Sequence, residues 1–287
     1  MSICFFVSDL HGKIERYNKL FSNILAEEPE AVFLGGDLLP SGLFVLTHNE
    51  TVVDDFINDF LIVEFLKLKK KMDDKYPRVF VILGNDDGKI NEKDFIDVQQ
   101  LGIWEYIHNK KIKFDDFDIY GYSYIPPTPF QLKDWEKYDV SRFVDPGCIL
   151  PEDGWHSVGV SKHELIYSTI EKDINKLVGD NDLTNTIFLF HTPPYKTKLD
   201  RAALDGKMVD HVPLDVHVGS IAVKRFIESR NPTITLHGHV HESARITRCW
   251  KDKIDNTHLF TAAHDGPELS LIRFDRYHPE ESTRELI

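Results

Sequence analysis

Cysteine is scarce in this sequence: Cys4, Cys148 and Cys249 are three widely separated residues in a chain of 287. An odd, scattered set builds neither a disulfide framework nor a two-cysteine zinc knuckle, so all three are expected to be small buried hydrophobes. Long apolar runs are also missing. The longest, Ile3 to Val7 and Val79 to Leu83, have the length of a strand, far from the ~20 residues of a membrane span, and no bilayer crossing is expected. The N-terminus enters Ile3-Cys4-Phe5-Phe6-Val7 directly, without the basic segment, apolar segment and cleavage site of a secretory leader, which points to a cytoplasmic protein. Positive charge is short as well, with 34 basic against 47 acidic residues and a net charge of −13. That balance argues against an extended basic surface tracking a nucleic-acid backbone. A GxSxG elbow, a GxxxxGK(S/T) phosphate loop and an HExxH helix are absent, which removes three common routes to hydrolysis.

What the chain does have is alternation. Its composition, 41% hydrophobic and 28% charged, is that of a globular protein, and a chain this long buries about three quarters of its unfolded surface. The first ninety or so residues alternate β-branched or aromatic runs with stretches of helical period, as βαβ units do. Ile3 to Ser8, Ala31 to Leu34 and Arg78 to Leu83 read as strands, and Ile14 to Glu27 as a helix. Val53, Phe56, Ile57, Phe60 and Leu61 mark a second helix, and Lys67, Lys69, Lys70 and Lys71 close it where positive charge complements the dipole. Residues 104–155 lose the rhythm, with Pro126, Pro127, Pro129, Pro146 and Pro151 placed around a short strand near Ile119 to Tyr122. Helical period returns at His163 to Leu177. A strand follows at Ile187 to Phe190, then a long loop through Pro213, a helix near Ser220 to Glu228 and a strand at Thr233 to Leu236. Short strands are expected around Ala244 to Cys249, Leu259 to Ala262 and Leu269 to Phe274.

Histidine is plentiful, with 14 copies, and its placement is informative. Five polar clusters each follow directly on an apolar, strand-like run: Asp9-Leu10-His11, Gly36-Asp37, Gly84-Asn85-Asp86-Asp87, His191, and Gly238-His239-Val240-His241. The carboxyl ends of strands in open α/β sheets are where ligands bind, so residues far apart in sequence converge there. The donors are oxygen and imidazole nitrogen without thiolate, a set that suits manganese, iron, zinc, cobalt or nickel better than a calcium cage. A single buried Asp or His is an ordinary hydrogen-bonding residue. A core that gathers several of both at strand ends needs a cation to balance them. His237 stands apart: it precedes Gly238 and reads as a core residue or a support for a ligand.

The ordered string D-x-H, G-D, G-N-D-D, H, G-H-x-H, from residue 9 to 241, resembles the calcineurin-like metallophosphoesterase superfamily. His191-Thr192-Pro193-Pro194-Tyr195, His217-Val218-Gly219-Ser220 and Leu236-His237-Gly238-His239-Val240-His241-Glu242 further resemble its predicted-phosphoesterase branch. The resemblance implies an α/β fold, a four-layer αββα sandwich with two mixed β-sheets flanked by helices. It implies one domain over residues 1–287, with irregular insertion or cap loops around 104–160 and 192–216. It also implies two divalent metal ions, manganese first, with iron, zinc, nickel or cobalt as alternatives. One ion is assigned to Asp9, His11, Asp37 and His241, and the other to Asp37, Asn85, His191 and His239, with Asp37 as the bridge. Two such ions, about 3.5 to 4 Å apart, share a water whose pKa falls toward neutrality and which attacks phosphorus in line.

One position departs from the family. Where the pattern has a histidine that contacts phosphate and assists the leaving group, this chain has Asp86. A carboxylate there repels a doubly charged monoester more than a singly charged diester, so a phosphodiester is the expected substrate; alternatively Asp86 supports a ligand or a water. Substitute polar groups are sought in the loop after His191, where Tyr195, Lys196, Lys198 and Arg201 are within reach of an anion. His217 precedes a helix start, a place that presents backbone N–H groups to an anion. The candidate catalytic residues are therefore Asp86 and His217, and the candidate substrate contacts Tyr195 and Lys198. The expected partner is a small phosphorylated compound, with no extended nucleic-acid surface and no membrane; the oligomeric state, a homodimer included, stays open. The competing readings are a phosphomonoesterase acting on a nucleotide or a phosphoprotein, and a non-catalytic scaffold of the same fold for protein partners.

Overall fold

The computed structural model describes residues 3–40 and 55–287. Two six-stranded sheets carry the chain. The first runs β14-β13-β1-β2-β3-β4 and the second β11-β12-β10-β7-β6-β5, where β1 is Ile3–Val7, β2 Ala31–Gly35, β3 Arg78–Ile82, β4 Glu105–Tyr106, β5 Lys110–Phe114, β6 Phe117–Tyr122 and β7 Thr186–Phe190. A two-stranded ribbon, β8 Met208–Val209 with β9 Val212–Pro213, stands apart, and β10 Ile234–His237, β11 Lys251–Ile254, β12 Thr257–Thr261, β13 Ser270–Asp275 and β14 Thr283–Leu286 complete the order. The first sheet is parallel from β1 to β4 with antiparallel β13 and β14 at one margin, and the second is parallel across β6, β7, β10 and β12 with an antiparallel strand at each margin.

The two-residue period of a strand explains the layers. Cys4, Phe6, Phe33, Phe80 and Ile82 from the first sheet meet Ile119, Ile187, Leu189, Ile234, Leu236 and Phe260 from the second in one apolar layer. The alternate residues, Phe5, Val7, Val32, Leu34, Val79 and Val81, with Phe188 and Phe190, face outward in a second cluster. That cluster is completed by helix residues: Tyr17, Leu20 and Ile24 from Ile14–Glu27, Phe65 and Leu68 from Ile62–Met72, Ile170 and Ile174 from Ile170–Val178, and Phe226 from Ile221–Arg230. The result is the four-layer αββα sandwich. Among the described residues, no helix is long and apolar enough to cross a membrane.

Several local expectations need correction. The single helix over His163 to Leu177 is two, Lys162–Tyr167 and Ile170–Val178. Thr169 lies between them in extended geometry and caps the second by accepting from Lys172 N–H, while Ile170 N–H pairs with Tyr138 O. A tertiary strand-like contact thus overrides helical period. Ala244 to Cys249 is no strand, because Ser243–Thr247 forms a helical turn that ends at Arg248 with φ 59°. The irregular stretch is shorter than 104–160, since β4, β5 and β6 belong to the two sheets and irregular backbone begins after Tyr122. The 192–216 loop contains the β8–β9 ribbon. Only Cys4 is buried; Cys148 and Cys249 are partly exposed. Val53, read as part of the second helix, lies outside the described residues; Phe56–Leu61 forms a wide π turn that leads into Ile62–Met72. Lys69 at the end of that helix donates to Leu101 O and Gly102 O.

Candidate metal centre

All five polar clusters emerge from the carboxyl ends of parallel strands: Asp9 after β1, Asp37 after β2, Asn85 after β3, His191 after β7 and His239 after β10. The first two turns are stitched together through the backbone. Asp9 N–H donates to Gly36 O at 3.0 Å, His11 N–H to Asp37 O at 2.8 Å and Gly12 N–H to Leu38 O at 2.9 Å. Asp9, His11, Asp37 and His239 all have positive φ, at 57°, 48°, 53° and 72°. Such backbone is strained for a residue with a Cβ and persists only where its surroundings hold it. Four of the seven expected ligands carry it.

One oxygen or nitrogen from each of Asp9, His11, Asp37 and His241 lies within 4.8 Å of the others. His11 Nε2 and His241 Nε2 approach to 3.1 Å, and His241 Nε2 is 3.1 Å from Asp9 Oδ1. On the other side of Asp37, His191 Nε2 is 3.3 Å from Asp37 Oδ2 and 3.0 Å from Asn85 Oδ1. The His191 Nδ1–H group donates to Gly35 O at 2.8 Å, which aims Nε2 into the cluster. His239 joins through its backbone, its N–H donating to Asp9 Oδ1 at 3.0 Å, and its ring centre is 5.5 Å from that of His191. The donor set fits the expected pair of cations: two buried carboxylates sit among imidazoles, and Asp37 faces both groups.

The electrostatics read as those of a cation site. Burial pushes the Asp37 carboxyl up, yet the charge and hydrogen bond of His191 and the charge of His11 outweigh it and hold it at about 2. Asp9 is likewise lowered, by His241, His191 and His11 against its burial. Burial depresses His191, but Asp37 and Asp9 reverse the balance and lift it to about 10. A proton on this imidazole therefore balances the carboxylates where a cation would. Burial takes His239 down to about 3, the neutral form a metal ligand requires.

Asp86 stands at the rim. Its N–H donates to Asp37 Oδ1 at 2.8 Å, and its own Oδ2 is 3.5 Å from His11 Nδ1, with the side chain 38% exposed. Burial and the Asp37 charge raise it to about 6. Asp87 plays a different part: fully buried, it accepts from the N–H groups of Leu38, Leu39 and Gly84 and ties the β2 and β3 turns together. His237 is a core residue, with Nδ1 2.9 Å from Thr192 O, Nε2 2.8 Å from Thr235 Oγ1, and its ring stacked on Phe190.

The loop after His191 is organised by acids, three of its own and Asp252 of β11. Tyr195 donates to Asp215, Lys198 faces Asp252 at 3.7 Å, Arg201 pairs with Asp205, and His217 Nδ1 is 2.9 Å from Asp200. The helix start beyond His217 is no open anion site, because Asp139 fills it by accepting from Ser220 Oγ and the N–H groups of Ile221 and Ala222. Sequence reasoning missed Arg16. Buried to 3% exposure, its guanidinium donates to Asp9 O at 2.6 Å and Gly266 O at 2.5 Å, pinning the strained turn. The signal was available: Arg16 falls four residues before Leu20 on the apolar stripe of its helix.

Comparison with known proteins agrees with this arrangement, for the calcineurin-like phosphoesterase family matches residues 4–243. The chain belongs to that family. An uncharacterised protein of Methanocaldococcus jannaschii is 39% identical over 92 residues, 31% of this chain, and the match spans 36% of that relative's length. Among solved structures, a Thermus thermophilus protein aligns over 99% of this chain and 98% of its own, at TM-score 0.54 and 13% identity. A dimetal phosphatase from Danio rerio aligns over 94% and 91%, at TM-score 0.51 and 10% identity. At these identities the structures speak for the shared calcineurin-like fold.

Proposed function

We propose that this chain is a single-domain phosphodiesterase that uses two divalent cations, manganese first, to hydrolyse a small phosphorylated substrate. The observation that carries the reading is the two-sided cluster around Asp37, with Asp9, His11 and His241 on one side and Asn85 and His191 on the other. His239, beside His191, completes the second set. The chemistry such cations supply is a water acidic enough to ionise near neutral pH and a clamp on the phosphoryl oxygens. The chain's own part is to gather the donors and to fix Asp37 by the Asp86 N–H, which donates to its Oδ1. Three free cysteines suit the reducing cytoplasm, the compartment proposed.

Asp86 supports the choice of a diester. Its carboxylate is part-exposed beside His11, on the approach to the cluster. A phosphomonoester brings about 1.5 to 2 negative charges near pH 7, whereas a diester brings one, so repulsion disfavours the monoester. The test is to load the protein with Mn²⁺ and compare bis(p-nitrophenyl) phosphate with p-nitrophenyl phosphate. Faster diester turnover is expected. Equal or faster monoester turnover assigns a phosphomonoesterase instead, and inactivity of the fully metallated protein on both assigns a non-catalytic scaffold.

A further inference from the structure

Asp200 is fully buried in the loop that follows His191. Its carboxylate accepts from the N–H groups of Lys196 at 2.9 Å, Thr197 at 3.0 Å and Gly219 at 3.2 Å, and it faces His217 Nδ1 at 2.9 Å. An acceptor-only carboxylate requires the proton on Nδ1, which leaves Nε2 as the variable nitrogen of His217. Among the described residues no partner is found for Nε2, and the side chain is 26% exposed.

The loop's anchors tie this pair to the segments that follow two of the expected ligands. A Cβ on Gly219 would lie 2.6 Å from Pro193 O, two residues past His191, and Ser220 N–H donates to that same oxygen at 2.9 Å. On the other side Arg201, paired in register with His217, donates its N–H to Ser243 Oγ, two residues past His241. His217 is therefore held between the segments that carry two of the expected ligands. A clasp that only closed the loop would need no imidazole, because Asp200 already ties three backbone N–H groups.

Resting on the phosphodiesterase reading, we infer that His217 donates a proton to the leaving ester oxygen, with Asp200 as its positioning residue, in the role the histidine replaced by Asp86 cannot fill. As the water oxygen bonds to phosphorus and gives up its proton to solvent, the bond from phosphorus to the leaving oxygen breaks and that oxygen takes the Nε2 proton. The imidazole is left neutral, its Nδ1 proton stays with Asp200, and Nε2 is reprotonated from water.

Two measurements decide this. In the metal-free wild type, ¹⁵N NMR of the His217 ring near pH 8 is expected to find the proton on Nδ1; a proton on Nε2 alone overturns the role of Asp200. In the manganese-loaded protein, His217→Gln is expected to lower kcat on methyl phenyl phosphate, which has a poor leaving group, by about 100-fold or more, and on bis(p-nitrophenyl) phosphate by less than about 5-fold. Asp200→Asn, with its metal content and melting temperature checked, should show the same selectivity at smaller size. Equal losses on the two esters, or none, with wild-type turnover intact overturn the proton donor alone. A wild type that hydrolyses neither ester overturns the donor together with the phosphodiesterase reading.

Discussion

Gly36 turns at φ 93°, and a Cβ there would lie 2.7 Å from His191 Nδ1 and 2.8 Å from Gly84 N. Both obstacles are fixed, one being a ring held by Gly35 O and the other backbone. Gly36→Ala should therefore displace His191 and weaken cation binding by about tenfold or more, with a loss of roughly 1–3 kcal/mol in stability; metal titration and urea unfolding read the two separately. Asp86→His removes the carboxylate at the rim and should raise monoester turnover relative to diester. An unchanged ratio would show that charge at this position does not set the preference. The His191 proton supplies a third prediction. Because its folded value is lifted to about 10, a cation must displace that proton at any lower pH, so metal affinity rises with pH. Calorimetry in buffers of different ionisation enthalpy should report net proton release on cation binding near pH 7.

Elements matter through how they end. The helix Ile221–Arg230 begins against Asp139, whose carboxylate takes the Ser220 hydroxyl and the N–H groups of Ile221 and Ala222. Burial raises this carboxyl while those three donors oppose the shift. Asp139→Ala strips the partners from a buried helix start and should cost about 1–3 kcal/mol in urea unfolding, most of it recovered in Asp139→Asn. This contact also shows why one part of the sequence reading failed. The Gly219-Ser220 start is a sound signal for a helix N-terminus, but nothing local says that an aspartate 81 residues upstream of Ser220 already fills it. The split at Ser168–Thr169 has the same origin, since Tyr138 O claims the Ile170 N–H that one continuous helix would use internally. By contrast, Ile14–Glu27 lies where its period placed it, because its apolar stripe and its sheet contact agree.

At the scale of the molecule, a neutral histidine links stability to pH. His108 is held well below its ordinary value by burial and by Lys89, Lys137 and Lys110, and its Nδ1 accepts from Ser123 N–H. The folded chain stays neutral there while the unfolded chain takes up a proton near pH 6.5, so this contribution is present above that pH and is lost as pH falls through it. His108→Gln should remove about 1.4 kcal/mol of the stability difference between about pH 7.5 and pH 5.5. If wild type and variant lose stability equally over that range, His108 is not the linked group.

Strand ends, donor types and their order along the chain were determined by the sequence itself, because alternation of apolar residues and the choice of Asp, Asn and His are local properties. That is why the five polar clusters could be placed at strand ends, whereas the ligand set and the sandwich came from the family resemblance. Tertiary structure alone decided which side chain faces which. It brought Arg16 to the carbonyl of Asp9, Asp87 to three backbone donors and Asp139 to a distant helix, and paired Tyr195 with Asp215 of its own loop and Lys198 with Asp252 of β11. Most of those partnerships join residues 20 to 81 positions apart, and a buried polar group takes whatever partner the packing of the two sheets delivers, which no local pattern encodes.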